Sequence, residues 1–233
     1  MTKRLAPGSI RTRAKTLEDK AQVRKAFIAA GRKLLADQPR GEVSLRRIAA
    51  EAGYTPGTIY QYFPDYQALL FSIREIDLQA ATERFEALAS AIDDPVVRVR
   101  ALAKGSAKYW LQHPGQFDVL FSRPPSKDTT PDQHLIFGRS PVVQRALKIY
   151  HAAVDDLFRT LPSSKISSRL AADTLIATTY GIVAFPRGTH TMRWSNHYRM
   201  VECAIDALVD SWLHSAHVVD HDASKNPIAH EKS

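Results

Sequence analysis

Gln61 carries an amide that can pair bidentately with an adenine edge in a major groove, and it is surrounded by hydroxyls, those of Thr58, Tyr60 and Tyr62, which suit phosphate oxygens. Gly57, lacking a side chain, lets the backbone come very near a partner, and Thr55 and Pro56 complete the exposed stretch. Together these groups have the chemistry of a surface laid against a duplex. For Tyr60 and Tyr62 half-buried packing is an alternative, since aromatics beside a helix crossing often serve as both wedge and contact.

The elements that must hold this stretch are two short helices joined by a tight turn, SLRRIAAEAGYTPGTIYQYF from Ser44 to Phe63. Ala49 is small enough for the crossing, Gly53 can take the left-handed turn, and Ile59 anchors the second helix on the first. Ser44 and Thr55 are good N-caps, and Pro56 sits at the first helical position, where a missing N–H costs nothing. Val43 should staple to Ile48 and Tyr54 to Ile59, Pro64 should stop the second helix, and Asp65 can cap the next. Ile48, Ala49, Ala52, Ile59 and Phe63 are the expected core of the pair.

The net charge of +8 is unevenly spread. Residues 1–64 hold 13 Lys/Arg and 5 Asp/Glu, whereas residues 65–233 hold 19 of each, so all of the excess lies with the helix pair. A localised positive field of this kind attracts a polyanion and releases its counterions. A single cysteine, Cys203, allows no disulfide framework, and no apolar run approaches the about 18 residues that a membrane span needs. The expectation is a soluble, cytoplasmic protein with no membrane association.

Along the chain, residues 1–16 read as a flexible basic arm with Lys3, Arg4, Arg11, Arg13 and Lys15 and no acidic residue. Val23, Phe27, Ala30, Leu34 and Leu35 predict a first amphipathic helix over 17–38, with Gly31 either a tolerated cost or a close-packing position, and Pro39-Arg40-Gly41 makes the turn into the motif. The domain boundaries follow as 17–64 for the DNA-binding part, 65–217 for a helical second domain, and 218–233 for a polar, disordered tail. In the second domain, Leu69, Leu70, Ile73, Ile76, Ala80 and Leu88 describe one long helix to about Ala91, and Val96, Val99, Leu102, Ala103, Ala107 and Trp110 another. After His113-Pro114-Gly115 comes the short apolar FDVLF, then an expected exposed loop over 122–141. Helices follow over 141–161, 167–185 and 196–217, which makes the fold class all-α.

The stretches AFIAAGRKLLADQ, VSLRRIAAEAGYTPGTIYQYF and PDYQALL, in that order and spacing, resemble the amino-terminal domain of the TetR family of bacterial transcriptional regulators. The resemblance implies a three-helix DNA-binding domain followed by an all-helical ligand-binding and dimerising domain, and hence a regulator, most naturally a repressor, binding a palindromic operator. It also places Arg46 where some members read a base. Where members commonly carry a lysine just inside the next helix, this chain has Tyr66; the helix N-terminus can still meet a phosphate, but without that fixed cation. The run GIVAFPRG with Trp194 nearby resembles the WHG class of sensor domains.

Two late helices look ready for a two-fold partner, through Ala171, Leu175, Thr178 and Ile182 on one and Met200, Ala204, Leu208 and Ser211 on the other. An ordinary monomer core is the alternative. Trp110, His113, Phe117, Phe121, Tyr150, His151, Tyr180 and Trp194 are candidates to line a pocket for an unknown small-molecule effector. No phosphate-binding Gly-Lys loop, dinucleotide fingerprint or nucleophile elbow is present, so neither a cofactor nor catalysis is expected. Cys203 reads as a small core residue, and His214, His217 and His221 match no recognised metal-ligand spacing. The rival reading is a basic helical protein that coats DNA without sequence preference or effector.

Overall fold

The computed structural model describes residues 16–37, 43–121, 140–161 and 164–224, with side chains as far as Ser215. Residues 1–15 of the basic arm, the Pro39-Arg40-Gly41 turn, residues 122–139 of the expected loop, and the side chains of His217 and His221 lie outside the described residues. Those described form nine α-helices and no strand: α1 (Leu17–Asp37), α2 (Leu45–Glu51), α3 (Pro56–Ile59), α4 (Tyr66–Ser90), α5 (Pro95–Gln112), α6 (Pro114–Phe121), α7 (Pro141–Arg159), α8 (Ser168–Gly188) and α9 (His197–Ser224). The fold is all-α. The last helix runs on past the expected boundary at His217 to Ser224.

Two compact units emerge. The first takes the described residues of 1–79 and 113–143. Its α1 starts on a reciprocal cap, in which Asp19 N donates to Thr16 Oγ1 and Thr16 N to Asp19 Oδ2, both at 3.0 Å. Val23, Phe27, Ile28, Leu34 and Leu35 then face Leu45, Ile48, Ala49, Ile59, Phe63, Leu69, Leu70 and Ile73 in one core. Gly31 is a close-packing position, since a Cβ there would lie 2.9 Å from Ile73 Cδ1. Farther along the same helices, Arg24 Nη2 donates to Ser72 Oγ at 2.7 Å while its guanidinium lies 4.9 Å from the Phe63 ring centre. Although it lies beyond residue 64 in the chain, α6 packs on α1; Val119 joins this core, and its carbonyl accepts from Arg74 Nε at 2.7 Å.

The second unit takes 80–112 and the described residues of 144–233. Its centre is α5, α8 and α9, each packed on the other two. α5 buries Val99, Leu102, Ala103, Ala107 and Trp110, and α9 contributes the i, i+4 row Val201, Ile205 and Val209. A charged network lies over the same junction: Arg100 reaches Asp206 at 2.5 Å and Asp210 at 2.6 Å, and Lys104 reaches Asp206 at 2.7 Å. Lys104 foremost holds the Asp206 carboxyl below its ordinary range. Arg98 closes the end of α4 by donating to Ile92 O at 2.7 Å and Asp93 O at 2.9 Å, while its third arm meets Asp156 at 2.5 Å.

The expected stripe of α4 needs one correction. Ile76 is 39% exposed and Ala80 is exposed, and the buried row is instead Leu69, Ile73, Asp77, Ala81 and Phe85 at steps of four. A carboxylate in that row makes the neighbouring row look the more apolar in sequence. Burial at 3% exposure is tolerated because Arg32 Nη2 of α1 approaches Asp77 Oδ1 to 2.5 Å. The approach is an ion pair without hydrogen-bond geometry, and Oδ1 keeps no hydrogen-bond partner. Burial outweighs the arginine and pushes the Asp77 carboxyl up from its ordinary value. A carboxyl raised in the folded state favours folding fully below its unfolded value, and that contribution is lost as pH rises through the raised one. Arg32→Ala removes the counter-charge and is expected to cost about 2–3 kcal/mol at neutral pH, and clearly less at about pH 4, where Asp77 can take a proton. Asp77→Asn should cost less than Arg32→Ala at neutral pH. Urea midpoints at the two pH values decide; equal losses for Arg32→Ala at both would contradict this account.

Candidate nucleic-acid interface

α2 ends where Tyr54 N donates to Ala49 O at 2.9 Å and Gly53 turns left-handed with φ of 79°. The N-cap Ser44 accepts from Arg47 N at 3.3 Å, as its residue type suggests. The second cap differs. Thr55 has the extended backbone of an N-cap, but its hydroxyl pairs with that of Thr58 at 2.9 Å and caps no N–H. The helix it opens is one turn long, Pro56–Ile59, and continues as tighter turns in which Gln61 N donates to Thr58 O and Tyr62 N to Ile59 O, before Phe63 N donates to the same Ile59 O at α-helical spacing.

So short a helix is positioned by what lies beneath it. Ile59 and Phe63 are buried with Ile48, Ala49 and Phe27, and Ala52 is partly buried against the same core. The Phe27 ring also receives Tyr54 at 5.1 Å and Tyr62 edge-on at 5.6 Å. Tyr62 is therefore half-buried, whereas Tyr60 is 51% exposed. Thr55, Pro56, Gly57 and Gln61 are exposed, Thr58 is partly so, and Arg46 is exposed on α2. A Cβ on Gly57 would meet nothing within 4 Å, so the backbone there is open to an approaching partner. Tyr66, at the start of α4, is partly buried against the core. Beside it Asp65 accepts from Ala68 N at 2.8 Å, so a carboxylate already occupies that helix end. Sequence reasoning read Asp65 as a cap without drawing this consequence.

The aromatic candidates for an effector pocket separate. Trp110, Tyr150 and Tyr180 come together in the second unit: Trp110 Nε1 donates to Tyr180 Oη at 3.3 Å, and the two phenol oxygens lie 3.5 Å apart. Ser106 joins them, accepting from Tyr150 Oη at 2.5 Å. It went unnoticed in the sequence, although it stands one helical turn from Trp110 as a polar residue in an apolar row. His151 instead pairs with Asp173 at 3.2 Å, and Trp194 donates to Thr189 O at 3.2 Å with Phe185 against its ring. His113, Phe117 and Phe121 belong to the first unit, where Phe117 is buried and Phe121 is 48% exposed. A separate groove of about 330 Å³ in the second unit is lined by Glu86, Ala89, Ser90, Arg98, Ile149, Ala152, Ala153 and Asp156 and touches none of these candidates. Its carboxylates are already paired, Glu86 with Arg145 and Asp156 with Arg98 and Arg159.

Of the residues expected to meet a second copy, Ala171 and Leu175 lie in the protomer's own core. Thr178, Ile182, Met200, Ala204 and Leu208 are partly exposed, and Ser211 is exposed. Cys203, expected in a core, is exposed on the same side of α9, since Val201 and Ile205 occupy the buried row.

Residues 27–73, which contain this motif, match the sequence model of the bacterial regulatory proteins of the tetR family. The chain carries a tetR-family amino-terminal domain and has the helical fold of TetR-family transcription regulators. Among solved structures, a TetR family transcription regulator from Marinobacter aquaeolei VT8 is 20% identical, with 84% of this chain and 97% of that one covered and a TM-score of 0.57. The transcriptional regulator FadR from Bacillus subtilis, solved in complex with stearoyl-CoA, is 16% identical over 79% and 97% of the chains, with a TM-score of 0.64. A protein of unknown function from Rhodococcus sp. RHA1 is 18% identical over 82% and 95%, with a TM-score of 0.65. No curated protein matches the chain by sequence. The likeness to the WHG class rests on the GIVAFPRG run, which forms the end of α8 with Pro186 buried inside it, and on Trp194 nearby.

The turn itself is open to test. Gly53 holds a φ that disfavours any Cβ although nothing lies within 4 Å of it. Gly53→Ala should therefore cost about 1 kcal/mol through backbone strain alone, seen as a lower thermal midpoint. Gly57→Ala should leave that midpoint nearly unchanged.

Proposed function

We propose that this protein is a homodimeric, ligand-responsive transcriptional repressor that sets one α3 per subunit into successive major grooves of a palindromic operator. The observation that carries the reading is the outward set Thr55, Pro56, Gly57, Thr58, Tyr60 and Gln61, held on a buried base in the part of the chain that holds all of the excess positive charge. In this reading residues 17–64 read DNA, 65–217 form the sensing and dimerising part, and the protein works in the cytoplasm. Half-site centres lie roughly 34–36 Å apart, or a multiple of that, because two-fold protein symmetry must match the repeat of the duplex. Gln61 reads a base edge; Tyr60 and Thr58 hold phosphates. Asp65 turns phosphates away from the start of α4, so Arg46 takes more of that work.

The dimer uses the outward side of α8 and α9. Leu170 and Phe185 stand 54% and 61% exposed on α8, with Ala177 and Gly181 exposed between them, and Ala204, Ala207 and Ser211 continue the small-residue side on α9. A Cβ at Gly181 would meet nothing within 4 Å, which leaves room for a helix of the partner. The effector binds the second unit and acts by favouring one of two states of the dimer unequally. That FadR was solved with stearoyl-CoA supports small-molecule binding by a sensor of this fold.

Fluorescence anisotropy on the chain's own upstream DNA and on random duplex tests the DNA reading. A large preference for the upstream DNA is expected, and a ratio near one would favour sequence-independent coating. Gln61→Ala should reduce that preference about tenfold while leaving random-duplex affinity nearly unchanged, whereas Tyr60→Phe should weaken both alike. Gly181→Arg should halve the mass seen in analytical ultracentrifugation and weaken operator binding with the fold intact. A dimer persisting in that variant would place the interface elsewhere.

A further inference from the structure

In the second unit, side chains of three helices converge on a chain of hydrogen bonds. Trp110 Nε1 on α5 donates to Tyr180 Oη on α8 at 3.3 Å, Tyr180 and Tyr150 on α7 face each other hydroxyl to hydroxyl at 3.5 Å, Tyr150 donates to Ser106 Oγ at 2.5 Å, and Ser106 donates to Ala103 O at 3.0 Å. Phe85 and Tyr109 pack around Trp110 at centroid distances of 6.2 and 4.9 Å. A core needing only stability would take Phe at 150 and 180 and Ala at 106, because buried polar groups gain little when satisfied and cost much when they are not. The longest link joins the two phenols. Tyr180 is partly exposed as a residue, whereas Tyr150, Ser106 and Trp110 are buried, so Tyr180 is the least enclosed member of the relay. Burial pushes both phenols above their ordinary value, so they remain neutral donors.

We infer that the Tyr150–Tyr180 link is the polar subsite of the effector, and that the effector is an uncharged, largely apolar molecule bearing one hydroxyl or carbonyl group. This deepens the sensor reading above and rests on it. When Tyr180 shifts outward, a hydroxyl of the ligand enters between the two phenols, accepting from Tyr180 and donating to Tyr150, whose own proton is given to Ser106, while the ligand's apolar body packs on the rings of Trp110, Phe85 and Tyr109. A carboxylate or ammonium entering the same place would lose its hydration, and the groups of the relay, Trp110, Tyr150, Tyr180 and Ser106, are all neutral. The relay thus selects by charge as well as by hydrogen bonding.

Isothermal titration of the full chain, free of DNA, with naphthalene, 1-naphthol and 1-naphthoate tests this. Naphthol is expected to bind about tenfold tighter than naphthalene, as one added buried hydrogen bond would give, and naphthoate weakest. Tyr150→Phe and Tyr180→Phe should each bring naphthol to within roughly threefold of naphthalene, with melting curves confirming that the variants fold. The inference is overturned if none of the three binds, if naphthoate binds best, or if the preference for naphthol survives both substitutions. Release of operator DNA by naphthol is read separately: binding with the expected preference but without release would uphold the subsite and count against the regulatory reading.

Discussion

A one-turn helix has no stability of its own, because nucleation fixes several residues for a single hydrogen bond. Every exposed group on α3 therefore borrows its position from the apolar base formed by Ile59, Phe63, Ile48, Ala49 and Phe27 and from the left-handed turn at Gly53. Phe27 is the hinge pin of this arrangement, since it touches both the tyrosine before α3 and the tyrosine after it. α1 in turn is held on α4 at the approach of Gly31 to Ile73, at the hydrogen bond from Arg24 to Ser72 and at the ion pair of Arg32 with Asp77. A rigid scaffold beneath a small exposed surface is what recognition of base edges demands, since hydrogen bonds to bases fade with small misplacements.

Polar groups inside the two units do different kinds of work. Asp77 is an expense: a carboxylate in a buried row, neutralised from one side only and leaving an oxygen without a hydrogen bond. The relay from Trp110 to Ala103 is closer to satisfied and gathers neutral groups only. Ion pairs such as those of Arg100 and Lys104 with Asp206 tie α5 to α9, and although burial works against the Arg100 charge, its bonds to Asp206 and Asp210 together outweigh that burial. A change in one ring of the neutral relay alters side-chain hydrogen bonding on three helices.

α8 and α9 show how one helix serves two surfaces. Their rows Leu175, Thr179 and Val183, and Val201, Ile205 and Val209, build the core of the unit. The opposite rows are small or apolar and remain open, with Ala177, Gly181 and Phe185 on one helix and Cys203 and Ala207 on the other. Periodicity sees an apolar helix in both cases and does not separate the sides. Ala171 and Leu175 were assigned from sequence to a partner-facing side and sit in the core for this reason, one residue of register being enough to turn a side chain about 100°.

The all-α class, the two-helix motif, its glycine turn and the split of charge along the chain were legible in the residues themselves. The signals for them are local: a cap, a left-handed glycine or a proline at the first helical position acts within a few residues, and charge needs only counting. Tertiary structure alone decided which of two adjacent rows of α4 is buried, because that depends on Arg32 reaching Asp77 from another helix. It decided that α6 packs with α1 while Arg74 of α4 donates to the Val119 carbonyl of α6, and that Trp110, Tyr150, Tyr180 and Ser106 meet while His151 and Trp194 find other partners. Contacts between residues 30 to 70 positions apart leave no local pattern, since either partner alone looks like an ordinary member of its own helix.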